Sequence, residues 1–547
     1  MKPNPTQITR RSLLKSAGAI AIGLSLPHGV EALAEKARNS VDVEDRFAIK
    51  FHTIGGDGKA IPAPKDVLKR LYLVDKEYDP IKLLPEVESD GVCMLARPKG
   101  RFAFAMPFDL PGFGDVWTYG DDGGPGFESA HFSGTIDLNY ALAASRLKKV
   151  EAAITAGESD GCGFPSAVVE RLGKSRALLK QSREAKDPAA AAELATDSLT
   201  NSMWAGETVA VERARHRIKK NGPRPDFLFG CNAFGCLRGR SAYTKRFYDI
   251  FNYCTLPFYW NGFEPEDGKP QWERLDKMVE WCQAGRITPK GHPLVWFHKD
   301  VMPAWAREMN YQAMMERLRK RVRDIVSRYA GRIDIWDVIN EAHNWANMFN
   351  YTYDQLDEMT KMACDETKAA NPKATRVVNN VFMFGEDAFP SANGKSPERW
   401  TRTVHQYIQD LLRMGTDFEA IGMQLYWPGR DMLEMDALLD RFARFKKPIH
   451  ITEQGISSNV GVDEKSMVKN AFGRWHKPWS EEVQADWVEQ FWTIAYSKPA
   501  VRGLTWWDFS DNGHFWAFGG LLREDLTPKE SYWRLRGLIQ DWRRMRA

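Results

Sequence analysis

The sequence lacks the features that mark membrane proteins, disulfide-rich proteins and nucleic-acid-binding proteins. None of its apolar runs approaches the roughly 18–20 residues that a membrane-spanning helix needs. Its seven cysteines are an odd number in a chain of 547 residues and complete no zinc pattern, so we expect buried thiols. The formal net charge of +4 is small and gives no electrostatic reason to bind nucleic acid.

The first 34 residues resemble an export signal of the twin-arginine type. Arg10 and Arg11 precede a short apolar stretch at residues 17–26, and Ala32-Leu-Ala34 supplies small residues for cleavage. We therefore expect export to the periplasm or the exterior, and a mature chain without a membrane span. The alternative is a basic N-terminal tail in which the arginine pair is accidental.

Beyond residue 34, composition changes twice along the chain. Residues 35–137 contain short β-type runs broken by Gly, Pro and Asp, which predicts a small β-rich domain. Residues 138–225 are rich in Ala, Leu, Glu, Lys and Arg with helical apolar spacing, which predicts a helical connector. Asp187-Pro188 marks one helix start, because Asp is a good N-cap and Pro suits the first helical position.

Residues 226–547 alternate short apolar runs with amphipathic helices, a pattern typical of βα units around a parallel sheet. No glycine-rich phosphate loop follows the first strand, which argues against a doubly wound sheet. The sequence therefore predicts an α/β protein with a (β/α)8 barrel. The predicted strands begin near Phe227, Phe251, Ile287, Ile333, Val377, Ala420, Ile449 and Val501. The predicted helices cover residues 272–284, 312–329, 356–370, 399–414, 433–445 and 481–496.

Two glutamates follow predicted strands of this barrel. Glu341 ends the run that begins at Arg332, and Glu453 follows the run that begins at Pro448. In a (β/α)8 barrel, the carboxyl ends of the strands carry the active site. Glycoside cleavage needs two carboxyl groups, one that protonates the departing oxygen and one that attacks the anomeric carbon or activates water. The two glutamates therefore predict a glycoside hydrolase. Asp337 lies inside its predicted strand, and we expect it to be structural.

Several motifs, in order along the chain, resemble those of glycoside hydrolase family 10. The resemblance covers residues 226–547 and does not include residues 35–225. It implies a (β/α)8 barrel and a retaining mechanism, and most members of the family are endo-β-1,4-xylanases. The motifs are Gly291-His-Pro-Leu-Val-Trp296, Pro303-Ala-Trp305, Trp336-Asp-Val-Ile-Asn340-Glu341-Ala342, Ile451-Thr-Glu453 and Leu504-Thr-Trp-Trp507-Asp-Phe-Ser-Asp511 with Trp516.

The resemblance also implies a role for each matching residue. Glu341 matches the general acid/base, Glu453 the nucleophile, and Asn340 the residue that hydrogen-bonds the sugar 2-hydroxyl. It implies neither a metal nor another cofactor. The other residues expected to bind substrate are His292, Trp296, Gln424, Tyr426, Trp260, Trp507 and Trp516.

The chain departs from the family pattern at several of these strands. Tyr426 replaces a His that positions the nucleophile, so either Tyr426 supplies an equivalent hydrogen bond or the mechanism is altered. Gln454-Gly455 replaces Leu-Asp, and Asn379-Asn380 replaces Asn-Asp. In the second strand, Thr255-Leu-Pro-Phe-Tyr-Trp260 lacks the family's Glu, Asn and Lys. Unpaired sugar hydroxyls would cost on the order of 1–3 kcal/mol each, so a sugar other than xylose is a serious possibility there.

These observations leave three functions open. The leading one is hydrolysis of a β-linked polysaccharide or oligosaccharide, with xylan as the default substrate. A second is a catalytically weak carbohydrate-binding protein that kept the barrel and its tryptophan lining. A third is hydrolysis of a different β-glycan or of a decorated oligosaccharide by the same two glutamates, Glu341 and Glu453.

Overall fold

The computed structural model describes residues 46–131, 134–239, 241–385, 387–388, 401–426 and 429–545. The twin-arginine segment at residues 1–34 lies outside this range, so export stays a prediction. Among the described helices, none has the length and apolar character needed to cross a bilayer.

The first described part contains ten strands, a helical turn at Lys65–Leu68 and a 3-10 turn at Ser129–His131. Strand β1 pairs with β6 and β10 in a sheet of order β10-β1-β6-β5, β2 pairs with β3, and β7 joins β4, β8 and β9. Side chains alternate in β1, where Phe47 and Ile49 are buried against the other strands. The elements are β1 (Arg46–Lys50), β2 (His52–Ile54), β3 (Ala60–Pro62), α1 (Lys65–Leu68), β4 (Tyr72–Val74), β5 (Glu86–Ser89), β6 (Val92–Ala96), β7 (Arg101–Leu110), β8 (Gly114–Gly120), β9 (Phe127–Glu128) and β10 (Thr135–Asp137).

Three long helices follow, α2 (Leu138–Ser159), α3 (Ser166–Glu184) and α4 (Pro188–Asn221). The predicted start of α4 is confirmed, because the Asp187 carboxylate accepts a hydrogen bond from the backbone N–H of Ala190. The order of strands, then helices, then βα units agrees with the predicted organisation. The exact division into units at residues 137 and 225 stays a prediction.

Eight parallel strands close into a barrel, which confirms the predicted (β/α)8 fold. Each strand is almost entirely buried, as expected for a parallel sheet covered by helices. The strands are β11 (Leu228–Asn232), β12 (Tyr253–Pro257), β13 (Thr288–His292), β14 (Ile335–Asn340), β15 (Thr375–Asn380), β16 (Ala420–Leu425), β17 (Ile449–Gln454) and β18 (Val501–Trp506). The helices are α5 (Ser241–Ile250), α6 (Trp260–Phe263), α7 (Trp272–Ala284), α8 (Tyr311–Tyr329), α9 (Tyr353–Ala370), α10 (Val404–Arg413), α11 (Met432–Ala443), α12 (Glu481–Ser497) and α13 (Glu530–Arg544).

Local capping fixes where the barrel helices begin. Helix α10 begins at Val404, whereas the sequence pattern predicted a start at residue 399. The Thr403 hydroxyl accepts from the N–H of Gln406, and the Gln406 side chain accepts from the N–H of Thr403. This capping box satisfies two backbone donors and sets the first turn, so residues 401–403 are not helical.

The cysteines are all buried free thiols, as the sequence analysis expected. Burial raises the pKa of Cys364 to about 12, which keeps this thiol protonated at neutral pH. Cys254 and Cys282 lie within the barrel wall with their sulfur atoms 3.3 Å apart.

The β7–β8 hairpin docks directly onto two loops of the barrel. Backbone hydrogen bonds run from Asp115 N to the Arg474 carbonyl (2.9 Å) and from Trp117 N to the Gly429 carbonyl (3.0 Å). Gly114 has a φ of +138°, and a Cβ at this position would lie 2.5 Å from the Arg474 carbonyl oxygen. Glycine therefore permits the close approach of the hairpin to the barrel.

A buried ionic cluster holds helix α2 against helix α11. Arg146 donates to Asp431 (2.6 Å) and to Glu434 (3.2 Å), and all three side chains are less than 10% exposed. Lys149 on the next turn bridges Glu434 (2.8 Å) and Asp121 (2.6 Å). Because each buried charge has a partner of opposite sign, the cluster fixes the orientation of the helices relative to the barrel.

Replacing Arg146 should destabilise the protein far more than replacing an exposed arginine of the same region. Arg146→Ala leaves Asp431 without its cation inside the interface, and we expect a loss of about 3–5 kcal/mol of unfolding free energy. The matched control is Arg176→Ala, which removes an exposed pair with Glu151 and should cost less than about 1 kcal/mol. Urea unfolding followed by tryptophan fluorescence measures both, and equal shifts would contradict a stabilising role for the cluster.

Candidate active site

A cavity of about 1030 Å3 opens at the carboxyl ends of the barrel strands. Nine of the ten side chains predicted to act on substrate line it, which brings together residues more than 200 positions apart in the chain. They are His292, Trp296, Asn340, Glu341, Gln424, Tyr426, Glu453, Trp507 and Trp516. The exception is Trp260.

Glu341 follows the last residue of β14 in an unusual backbone conformation. Its φ is +56°, in the left-handed region that non-glycine residues rarely occupy. The Glu341 N–H donates to the Asn379 carbonyl of β15, and its own carbonyl accepts from the N–H of Ala346. These bonds hold the strained residue at the strand exit, where such strain is typical of functional sites.

The Glu341 carboxyl group is buried among neutral donors. Gln424 Nε2 donates to Oε1 at 2.9 Å, and the indole N–H of Trp296 donates to Oε2 at 3.1 Å. Burial raises the pKa of Glu341 to about 7, although these donors and Asn340 oppose the rise. A carboxyl group with this pKa can carry a proton near neutral pH and release it during a reaction.

Glu453 lies at the end of β17 and faces partners of a different kind. Tyr426 donates its phenolic proton to Oε2 (2.8 Å), and Asn379 Nδ2 donates to Oε1 (3.0 Å). Nε2 of His292 lies 3.8 Å from Oε1. Burial raises the pKa of Glu453 to about 7, and the charge of Glu341 adds to the rise; His292, Lys290 and the Tyr426 hydroxyl oppose it.

A buried ion pair beneath the cavity orients His292. Lys290 Nζ lies 2.6 Å from Asp337 Oδ2, and the same oxygen is 2.7 Å from Nδ1 of His292. Burial opposes ionisation of Asp337, but Lys290 and His292 outweigh it and lower the pKa of this carboxyl group. Asp337 thus acts on the ring of His292 and does not line the cavity, in agreement with the structural role expected for it.

Side-chain amides connect the two glutamates. The Asn340 Oδ1 atom accepts from Asn379 Nδ2 (2.7 Å) and from Gln424 Nε2 (3.2 Å). Gln424 also contacts Glu341 and Asn379 also contacts Glu453, so an unbroken chain of hydrogen bonds joins the carboxyl groups. Thr452 donates to Asn379 Oδ1 and fixes the direction of that amide.

Of the two alternatives for Tyr426, the structure has the hydrogen bond to Glu453. The hydrogen bond from its hydroxyl to Glu453 is supported by ring packing, since Tyr426 stacks on Trp516 with centroids 5.6 Å apart. A Cβ at Gly455 would lie 3.2 Å from the Tyr426 ring, so glycine leaves room for this larger side chain. The other departure, Gln454, accepts from Trp492 Nε1 (2.6 Å) and supports the barrel wall.

Trp260 does not reach the cavity, contrary to the prediction. It begins helix α6, is 4% exposed, and donates its indole N–H to Glu264 (2.9 Å). Its ring packs edge-on against Trp305. The helix start turns this side chain away from the strand ends, and the preceding residue, Tyr259, lines the cavity instead.

Tyr259 and Asn379 are the site residues that sequence reasoning missed. The Tyr259 ring packs against His292 (5.6 Å between centroids) and Trp296 (5.8 Å). The aromatic pair at positions 259–260 was visible in the sequence, but the choice between its two members depends on the helix start. Asn379 was noted only as the first residue of an altered pair, and its position after Val378 in β15 was the available signal.

The barrel segment of the chain is similar in sequence to known proteins. The model of the family described as glycosyl hydrolase family 10 matches residues 228–536. Endo-1,4-beta-xylanase B of Thermotoga neapolitana is 26% identical over 296 residues, which are 52% of this chain and 78% of that protein. Endo-1,4-beta-xylanase B of Paenibacillus barcinonensis is 24% identical over 299 residues, or 50% of this chain and 83% of that protein.

Among solved structures, xylanase 10B from Thermotoga petrophila RKU-1 in complex with xylobiose aligns with 60% of this chain and 97% of its own. Its sequence identity is 22% and the TM-score is 0.46. The family match extends over more than half of the residues and includes every barrel strand. The chain therefore belongs to glycosyl hydrolase family 10.

Proposed function

We propose that the protein is a retaining β-glycoside hydrolase in which Glu341 is the general acid/base and Glu453 the nucleophile. The supporting observation is the unequal surroundings of two buried carboxyl groups in one cavity. Glu453 faces His292, Lys290 and the Tyr426 hydroxyl, all of which favour its ionised form. Glu341 has only neutral donors, so we assign the proton to Glu341 and the negative charge to Glu453.

This assignment gives each glutamate two tasks. Ionised Glu453 attacks the anomeric carbon while Glu341 transfers its proton to the departing glycosidic oxygen, which gives a covalent glycosyl-enzyme and a free alcohol. Glu341, now ionised, then removes a proton from water as the water attacks the same carbon. Glu453 leaves as a carboxylate, and Glu341 regains its proton.

Asn340 is placed to contact the sugar next to the reacting bond. Its Oδ1 accepts two amide donors, so Nδ2 is the group left to donate. That amide favours ionised Glu341 in the free protein. When Glu341 is protonated, Nδ2 can donate to a sugar hydroxyl, and we assign it to the 2-hydroxyl. A contact of this kind strengthens as charge develops in the transition state.

The default substrate is a xylan-like β-glycan, because the relatives reported above are endo-1,4-beta-xylanases. A second candidate is a different β-glycan, and the residues after β12 favour it. Where the family pattern has polar side chains that bind sugar hydroxyls, the cavity has the ring of Tyr259. An aromatic ring offers a stacking surface and fewer hydrogen bonds, which suits a sugar with another arrangement of hydroxyls.

A panel of β-linked oligosaccharides and aryl β-glycosides tests this proposal. We expect turnover of at least one panel member and retention of the β-configuration in the first product, measured by NMR of the anomeric proton. Comparison of kcat/KM across sugars then identifies the preferred substrate. Tight oligosaccharide binding with no turnover of any compound would contradict a hydrolase and favour a carbohydrate-binding barrel.

Azide separates the roles of the two glutamates. With an aryl β-glycoside, Glu341→Ala should still form the covalent intermediate, and azide should convert it to the β-glycosyl azide. In Glu453→Ala, azide can enter the space of the missing carboxylate and attack directly, so the product should be the α-anomer. The control is Glu308→Ala, an exposed glutamate whose loss should leave turnover unchanged. Exchanged anomers would mean that the assignments are reversed.

Tyr426 should govern the acidic limb of the pH profile. In Tyr426→Phe the ionised form of Glu453 loses a donor, so the pKa of this carboxyl group rises and activity is lost at a higher pH. A hydrogen bond to a charged group contributes about 1.5–3 kcal/mol, which corresponds to a shift of about one to two pH units.

The measurement is kcat/KM against pH, with Tyr259→Phe as the control. Tyr259 lines the same cavity but, among the described residues, donates to neither glutamate. Its replacement should leave the acidic limb in place. If the acidic limb of the kcat/KM profile stays in place in Tyr426→Phe, Tyr426 does not stabilise ionised Glu453, even if the rate falls.

A further inference from the structure

Part of the cavity wall comes from outside the segment that matches the family. Phe108 of β7 and Val116 and Trp117 of β8 line the same cavity as the two glutamates. The hairpin that carries them is fixed to the barrel by the backbone bonds at Asp115 and Trp117 described above. The N-terminal strands therefore contribute directly to the surface that a substrate meets.

Arg430 lies where this hairpin meets the barrel. It follows strand β16 by five residues, lines the cavity and is 4% exposed. Its guanidinium carbon lies 5.0 Å from the ring centroid of Trp117 and 4.4 Å from that of Phe384. The guanidinium therefore lies between a ring of the hairpin and a ring of the barrel. Both rings attract the cation through their π-faces but neither supplies a hydrogen-bond acceptor.

The guanidinium of Arg430 is only partly satisfied. Nη1 donates to the Gly429 carbonyl at 2.9 Å, whereas Nε and Nη2 are buried without a hydrogen-bond partner among the described residues. No described carboxylate lies within 4.0 Å of it. Among the described residues the buried cation has one acceptor, the Gly429 carbonyl, and burial of a charged group with so few acceptors is unfavourable.

The neighbouring acids are already committed to other cations. Asp431 pairs with Arg146, and Glu434 pairs with both Arg146 and Lys149. Burial raises the pKa of Glu434, but Lys149, Arg146 and, more weakly, Arg430 outweigh it, so the pKa is lowered overall. Arg430 thus acts on this cluster only at a distance and keeps two donors for a ligand.

We propose that Arg430 and Trp117 form a subsite for a carboxylate-bearing sugar, so that the preferred substrate is a β-glycan carrying a uronic acid. The inference rests on the proposed glycosidase function and adds the substrate class to it. Nε and Nη2 lie on one edge of the planar guanidinium, the arrangement from which a carboxylate accepts two hydrogen bonds, and the Trp117 ring holds the guanidinium in place through its π-face. The N-terminal strands then act as a specificity element of the active site.

Calorimetry on an inactive background tests binding apart from hydrolysis. The full chain carrying Glu341→Gln is titrated with xylotriose and with xylotriose bearing one glucuronic acid. We expect the acidic ligand to bind about 10- to 100-fold more tightly, as one charge-assisted contact provides. Adding Arg430→Gln should abolish this difference between the two ligands.

The matched control is Arg238→Gln, on the same background. Arg238 also lines the cavity, but it donates to the Asn512 carbonyl and is exposed to solvent. This variant should keep the preference for the acidic ligand. A preference that disappears in both variants would indicate a general effect of positive charge and would overturn the subsite.

Hydrolysis distinguishes failure of this inference from failure of the proposed function. With Glu341 restored, Arg430→Gln should lower the ratio of kcat/KM for the acidic glycan to kcat/KM for the neutral glycan, while hydrolysis of both remains measurable. Equal affinity of the unmodified subsite for both ligands, with hydrolysis intact, would overturn the subsite and leave the glycosidase proposal standing. Absence of both binding and hydrolysis would overturn the two together.

Discussion

The amide of Asn340 is the contact on which the geometry of the site depends. Its single oxygen accepts donors from β15 and β16, and the same two donors hold Glu453 and Glu341. The position of each carboxyl group is thereby tied to the register of the barrel strands. Asn340, Asn379 and Gln424 all lie in barrel strands, so their contacts place the glutamates relative to the sheet, and fixed placement is the condition for catalysis by preorganised groups.

Burial raises the pKa of both glutamates to about 7, and the groups that oppose this rise differ between the two. Lys290 and Asp337 lie within β13 and β14, where a parallel sheet usually carries apolar side chains. They hold His292 beside Glu453, so the barrel interior favours a negative charge on that side of the cavity. The surroundings of the two carboxyl groups therefore differ partly through Lys290 and Asp337, which do not line the cavity.

The barrel and the strand exits were predictable because they rest on the alternation of apolar strands and amphipathic helices. Glu341 and Glu453 follow such strands directly, and their placement needs no knowledge of side-chain packing. Trp260 shows where that reasoning ends. Whether Tyr259 or Trp260 faces the cavity depends on the first turn of α6, and sequence spacing does not determine that turn. The roles of Arg430 and the β7–β8 hairpin depend on contacts between distant parts of the chain.

The hairpin contact changes what the barrel can select. A (β/α)8 barrel carries specificity in the loops after its strands, and here the loop after β16 is bonded to β8 through Gly429. Arg430, the next residue, then lies between a ring of the hairpin and a ring of the barrel. Neither part alone forms this environment. The buried Arg146 cluster holds helix α2 against the barrel at Asp431, the residue after Arg430. The contacts that stabilise this interface therefore also position the side chain proposed to bind the substrate.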